Sequence, residues 1–474
     1  MKYILRLFIL LNYCLAPGMA TCLAILGSTC LASQAMAQTL QSEVKEILIK
    51  NKINPDHVGL VISLKDEDVY ENNPKKLFIP ASISKLLTSY SVLKNIDLMQ
   101  KFKTELHFDG KNLYLKGGGD PSFVSENLWY LVNEFTRQKI GVINGDIVID
   151  DYYFDDVRFD NSREAARVDR SYDAPVGAMS FNWNSINVFV KPGEITEEKA
   201  QVVLDPENTY FTLINRTTTK AKKLSRELII DVNQKARTIT VTGDVLKGGM
   251  EKAYFKNVAD PGMWAGDNLK AFLAQRNIAV KGKIRHGKTP NSAEKLVTFE
   301  SKSLSLILAD MNKFSNNYVA EMLTKNMAAL SGEIPATLAT GVKVIQKDLK
   351  ELGLEKADVK IFNPSGLTRD NLLSAYGMNV VLKAMQNDFR YFPTLLESLP
   401  ISAIDGTLKK RMKNTKAAGF VRAKTGYLDG VVTLAGYAGQ KDGDIYRFAF
   451  LYNGPQDEAR VREAFDQILI SLLK

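Results

Sequence analysis

Phe78-Ile79-Pro80-Ala81-Ser82-Ile83-Ser84-Lys85-Leu86-Leu87 is the stretch from which the rest of this 474-residue chain is read. Pro80 disfavours helix at Ile79, and an apolar run follows at once (Ile83, Leu86, Leu87, Tyr90, Val92, Leu93). The pattern predicts a strand or loop giving way to a buried helix whose first turn carries Ser82. Ser82 and Lys85 then share one helix face and can touch. A serine hydroxyl becomes a useful nucleophile only when a neighbour takes its proton, and an uncharged lysine amine can do so. The helix start adds free N–H groups and partial positive charge. Ser-x-x-Lys by itself decides nothing, because Ser42–Lys45, Ser91–Lys94, Ser292–Lys295 and Ser471–Lys474 share it. The setting and the partner motifs downstream single out Ser82.

With 45% apolar and 24% charged residues, the composition is that of a globular protein, and the length predicts two or three domains. Residues 1–37 differ. Lys2 and Arg6 precede a long apolar region, and Ala35-Met36-Ala37 before Gln38 fits a small-x-small cleavage site. The segment reads as a secretory signal, with an uncleaved membrane anchor as the alternative. Cys14, Cys22 and Cys30 all lie within it, so the mature chain would hold neither a disulfide framework nor a cysteine nucleophile. Cys30 follows Gly27-Ser28-Thr29, a poor match to a lipoprotein cleavage box. Without Lys2 and Arg6, 60 basic residues face 53 acidic ones, a net charge of +7. An exported protein of that charge could associate peripherally with an anionic membrane surface. Acidic residues interleave with the basic ones, so the charge does not argue for nucleic acid. His57, His107 and His286 lie far apart, without metal-ligand spacing, and read as surface or loop residues. A zinc hydrolase and a histidine-based triad are disfavoured together.

Residues 39–50 carry apolar positions at helical spacing, and His57–Leu64 with Asp68–Tyr70 read as a strand pair. From about 101 to 300 the chain turns to short alternating segments, expected as a mostly β insertion with a nested part at about 122–200; Gly266–Asn277 is one helix within it. Helical periods return at Leu304–Phe314, Tyr318–Ala329, Gly341–Leu352 and Tyr376–Gln386. Three strands, Gly419–Lys424, Val431–Ala438 and Tyr446–Leu451, precede a last helix, Glu458–Leu473. One sheet joining both chain ends follows, formed by residues 38–100 with 301–474.

Ser315-Asn316-Asn317 sits between two expected helices, where short polar side chains cap and also point into clefts. Ser-x-Asn recurs at Ser125, Ser180 and Ser185, so capping is the plain reading. Lys424-Thr425-Gly426 occurs once, at a strand end, where Gly426 would let another backbone approach. Such an edge suits a peptide added as an extra strand. Gly282-Lys283-Ile284-Arg285-His286-Gly287-Lys288-Thr289 matches the phosphate-loop pattern, but no long helix follows, and it reads as coincidence. Gly117-Gly118-Gly119 reads as a tight turn. Lys409-Lys410-Arg411 with Lys413 and Lys416 reads as a solvated face or as a device attracting an acidic substrate.

With Ser-x-x-Lys, Ser-x-Asn and Lys-Thr-Gly in that order, the chain resembles the serine penicillin-recognising enzymes. The long insertion between the first two motifs makes it similar to the class C low-molecular-mass penicillin-binding proteins, D-alanyl-D-alanine carboxypeptidase/endopeptidases. Further segments share the likeness: Gly117-Gly118-Gly119-Asp120-Pro121, Ile149-Asp150-Asp151, Ala174-Pro175-Val176, Ser365-Gly366-Leu367, Leu399-Pro400-Ile401, Asp405-Gly406-Thr407 and Gly430–Tyr437. The resemblance implies an α/β (α+β) serine β-lactamase/transpeptidase-like domain, its antiparallel sheet built from both chain ends and flanked by helices. It implies that Ser82 attacks the penultimate D-alanine carbonyl of a peptidoglycan stem peptide while Lys85 takes its proton. Lys85 must be uncharged for this, which Lys424 nearby and partial desolvation would favour. Ser315 would relay a proton to the leaving amine, and Asn317 would hold Lys85 and the substrate amide. Lys424 and Thr425, beside Gly426, would engage the terminal carboxylate, with Ser82 and Tyr427 N–H groups as the oxyanion hole. β-Lactams would acylate Ser82 and stall; neither cofactor nor metal is implied. Ser-Asn-Asn stands where Ser-Asp-Asn is common, and Tyr427 where a small hydroxyl residue is often found. A class A β-lactamase would be far too short between Lys85 and Ser315. The rival readings are a non-catalytic envelope scaffold and a nucleotide binder at 282–289.

Overall fold

The computed structural model describes residues 39–161, 174–222 and 224–473. The expected export segment, with all three cysteines, lies outside the described residues. The central sheet is antiparallel, in the order Val421–Leu428, Val431–Gly439, Ile445–Asn453, Val58–Leu64, Glu67–Asn72. Val58 pairs with Tyr452 and Leu64 with Tyr446, so the two ends of the chain meet in one sheet as expected.

Val-Gly-Leu-Val-Ile-Ser-Leu is apolar nearly throughout, the mark of a strand covered on both faces. Leu60, Ile62 and Phe450 pack with the helix over residues 39–50 and with Glu458–Leu472. Val61, Ala435 and Leu451 face a helical body formed by Ser84–Asn95, Leu304–Lys313, Asn317–Leu330, Leu338–Glu351 and Ala375–Asn387. Asn317–Leu330 is buried from Asn317 to Ala329, which makes it the central helix of that body. Among the described residues, no helix is long and apolar enough to cross a membrane.

One expectation needs correction. Ser82 is not in the first turn of the helix: it lies on a single 3-10 turn, Ala81–Ile83, and the α-helix starts at Ser84. The insertion is mostly β, as expected, with one helix beyond the expected one. Ile284–His286, Ile147–Asp150, Leu113–Gly117, Lys103–Phe108 and Glu294–Glu300 form a mixed sheet in that order, and Ser125–Thr136 and Pro261–Ala274 pack on it. Leu128, Leu131, Val132 and Phe135 supply the helical period of the first, unanticipated helix. The second starts ahead of Gly266 because Asp260 accepts the Met263 N–H at 3.0 Å and Pro261 fits the first helical position. Strands from Ser185 to Asn257 build two three-stranded sheets. A two-residue period identifies strands but not their partners.

Phe450 is fully buried between the sheet and the C-terminal helix. Phe450→Ala is expected to lower unfolding free energy by about 3–5 kcal/mol. Urea titration followed by far-UV circular dichroism checks this; an unchanged midpoint would mean that the two chain ends are not packed as described.

Candidate active site

The turn carrying Ser82 is pinned by the central sheet. Ile79 N–H donates to Asn453 Oδ1 at 2.7 Å, and the Thr433 hydroxyl donates to the Pro80 carbonyl at 2.8 Å. Between these clamps Ala81 takes φ +47°, a left-handed conformation that costs a non-glycine residue of order 1–3 kcal/mol. The neighbouring loop needs a glycine at 366, at φ +79°, since a Cβ there would lie 2.0 Å from the Ala81 carbonyl oxygen.

Lys85 is wholly buried. Its Nζ lies 3.1 Å from Ser82 Oγ, 2.6 Å from Asn317 Oδ1 and 2.6 Å from the Ser365 carbonyl oxygen. An uncharged amine has two N–H groups and one lone pair. Asn317 Oδ1 and the Ser365 carbonyl are acceptors; in an uncharged Lys85 they would take the two N–H groups and leave the lone pair for the Ser82 hydroxyl. A base serving a nucleophile needs contact of this kind.

Ser315-Asn316-Asn317 divides its labour. Asn316 is the helix cap, accepting the Val319 N–H at 3.2 Å, and Ser315 takes φ +55°. This sharp turn aims Ser315 at Lys424, with Nζ to Oγ 2.9 Å, and Asn317 at Lys85. One tripeptide thereby touches both lysines.

Lys424 is fully buried, donates also to the Thr425 carbonyl at 2.7 Å, and has no carboxylate in ion-pair range among the described residues. Burial alone pulls its ammonium down to about 7. Val421–Leu428 is the edge of its sheet. Residues 400–402 cover the first part, through Ala423 N–H to the Pro400 carbonyl at 3.1 Å and Ser402 N–H to the Val421 carbonyl at 2.9 Å. By strand alternation the Thr425 and Tyr427 N–H groups face the same way, onto the uncovered stretch. Gly426 has a reason beyond the one expected: a Cβ there would lie 2.1 Å from Thr433 Oγ1 and 2.9 Å from Ser82 N, so glycine lets the strand close on the Ser82 turn. The Tyr427 side chain swings outward, its hydroxyl donating to Glu458 Oε2 at 2.7 Å, while the Thr425 hydroxyl meets Thr407 Oγ1 at 2.8 Å.

Sequence reasoning had no role for Ser365, Thr407 or Glu458. Ser-Gly-Leu and Asp-Gly-Thr were visible as segments, yet a backbone carbonyl that serves the base leaves no trace in residue identity. Other motifs fall elsewhere. Ile284–His286 is a strand parallel to Ile147–Asp150, Lys288 Nζ sits 4.9 Å over the Tyr152 ring, and the next element is the strand Glu294–Glu300, so the phosphate-loop match lacks its helix. His107 and His286 are strand residues rather than loop residues, beside Glu105 and Asp260. Lys409, Lys410, Lys413 and Lys416 are exposed, whereas Arg411 pairs with Asp466 at 2.7 Å. Among the described residues no three His, Cys, Asp or Glu side chains are grouped to hold a metal ion.

Known proteins share this architecture. A D-alanyl-D-alanine carboxypeptidase of Actinomadura sp. (strain R39) is 29% identical over 447 residues, 89% of this chain and 82% of that protein. The crystal structure of penicillin-binding protein 4 (dacB) from Haemophilus influenzae superposes with a TM-score of 0.76 at 22% identity, covering 90% of this chain and 98% of that one. The same Haemophilus protein with a β-lactam bound gives 0.72 at 21% identity over the same shares. A family model matches residues 40–472, and the chain belongs to the D-Ala-D-Ala carboxypeptidase 3 (S13) family.

Proposed function

We propose that this protein is an exported serine DD-peptidase of the periplasm or cell envelope, cleaving peptidoglycan stem peptides through a Ser82 acyl-enzyme. The observation that carries the reading is Ser315-Asn316-Asn317 spanning a buried lysine beside a serine and a second buried lysine that lacks a carboxylate partner among the described residues.

The substrate lies along the open part of the Lys424 strand, with its terminal carboxylate on Lys424 and the Thr425 hydroxyl. Ser82 Oγ bonds to the penultimate D-alanine carbonyl carbon as Lys85 takes the hydroxyl proton. The oxyanion gathers on the Ser82 and Tyr427 N–H groups. Collapse breaks the peptide C–N bond, and a proton passing through Ser315 leaves with the amine. Water, deprotonated by Lys85, then frees the D-alanine carboxylate and restores Ser82. The leaving group is D-alanine or the diamino acid of a cross-link. A β-lactam opens on Ser82 by the same steps and stays attached, in keeping with the β-lactam complex of the Haemophilus relative. Residues 38–100 and 301–474 make the catalytic body, with 101–300 inserted, and residues 1–37 direct export. A scaffold without catalysis is disfavoured, because nothing in scaffolding asks for two buried lysines aimed at one cleft.

Ser82→Ala is expected to abolish D-alanine release from a pentapeptide stem while the circular dichroism spectrum is retained; release at the wild-type rate would move the nucleophile elsewhere. The second expectation concerns pH. With its ammonium near 7 in the free protein, Lys424 is charged below that pH and loses its charge above it. kcat/KM for a carboxylate-bearing peptide should therefore fall as pH rises through about 7, by way of KM, and Lys424→Arg should shift that limb beyond about pH 10. A flat profile over that range would contradict the assignment. Unfolded lysine titrates near 10.5, so between about 7 and 10.5 the unfolded chain holds the extra proton, and this residue makes stability rise with pH there.

A further inference from the structure

Asn317, Glu321 and Lys325 follow one another at helical spacing on the central helix, and all three are buried. Asn317 touches Lys85 directly, and Lys325 is tied to Asp155 and to the Val157 carbonyl of the insertion. The mechanism leaves Glu321 without a role, although a carboxylate 1% exposed is rarely kept without a reason.

The contacts of Glu321 lead to the base. Its Oε1 accepts from Asn363 Nδ2 at 3.4 Å and lies 3.5 Å from Ser365 Oγ, whose single proton goes to Asn363. Asn363 is the hub of the turn. Its Oδ1 accepts the Ser365 hydroxyl at 2.6 Å, the Ser365 N–H at 2.9 Å and the Gly366 N–H at 3.1 Å, and its Nδ2 also meets Asp160 Oδ2 at 3.2 Å. Asn371 Nδ2 closes the other side, donating to the Asn363 carbonyl at 2.7 Å and to Ser84 Oγ at 3.2 Å. The product of this network is one oriented group, the Ser365 carbonyl 2.6 Å from Lys85 Nζ. In an uncharged Lys85, that carbonyl and Asn317 Oδ1 together would set where the lone pair points. Both are held from the same helix, one by Asn317 itself and one through Glu321.

We propose that Glu321 is a positioning residue for acylation: by anchoring Asn363, which holds Ser365, it fixes the carbonyl that orients Lys85 towards Ser82. The inference rests on the reading of Ser82 and Lys85 as nucleophile and base. What Glu321 supplies to this turn is an acceptor for Asn363 Nδ2 at a set place, and the carbonyl oxygen of a glutamine can do the same.

The test is the second-order rate of acylation of the full chain by a fluorescent penicillin. Glu321→Ala should slow it at least about tenfold, as a misplaced base does, while the label still ends on Ser82. Glu321→Gln should stay within about threefold of wild type, and adding Ser365→Ala to Glu321→Ala should slow the reaction by no more than about threefold further, because the two act through one carbonyl. A wild-type rate in Glu321→Ala, equal losses in the alanine and glutamine variants, or losses that multiply would each overturn the proposal. Should Glu321→Ala fail to fold, Ser365→Ala decides alone: a slowed rate supports the proposal and a wild-type rate overturns it. A wild-type protein that takes no label would sink the DD-peptidase reading itself, whereas a labelled wild type with an equally fast Glu321→Ala sinks only this inference.

Discussion

Two lysine side chains are buried within one cleft, and the structure depends on how the turn between two helices meets them. Ser315 accepts from Lys424 and Asn317 from Lys85, while the residue between them caps the central helix. Removing amines from water is costly unless their hydrogens find acceptors. Lys85 has side-chain and carbonyl oxygens on several sides, and Lys424 has a hydroxyl and a carbonyl. Among the described residues, the surroundings of Lys424 are not those of an ordinary structural salt bridge.

The asymmetry between the two amines is chemical as well as geometric. Lys85 Nζ lies 3.1 Å from Ser82 Oγ, against the oxygens of Asn317 and Ser365. Lys424 lies at the open edge of a sheet, where burial depresses its ammonium to about 7 and an arriving carboxylate would restore the charge. The sheet makes this work by joining both ends of the chain: Asn453 and Thr433, from its C-terminal strands, hold the backbone at Ile79 and Pro80. The conformation of Ala81 and the glycines at 366 and 426 are consequences of that close meeting.

Much of this was legible before any coordinates. The strand pair at His57–Leu64 and Asp68–Tyr70, the three strands between Gly419 and Leu451 and the helical periods after Leu304 led to a sheet from both chain ends. Ser82, Lys85, Ser315, Asn317 and Lys424 could be named from motif order, and the chain brings them together. What stayed hidden has common physical causes. The 3-10 turn under Ser82 depends on clamps from residues more than three hundred positions away. The pairing of the insertion strands follows partner choice, which alternation does not encode. Ser365 acts through its carbonyl, and Glu321 through a network invisible in residue spacing. Gly426 was singled out for an approaching backbone, and within the protein it also makes room for Thr433 and the Ser82 turn, which residue identity does not reveal.

The most direct measurement is mass spectrometry of the full chain after exposure to benzylpenicillin, followed by proteolysis to locate the adduct. The account predicts one penicilloyl group on the peptide containing Ser82. An adduct confined to another residue, or a folded protein that gains no mass at all, would contradict it.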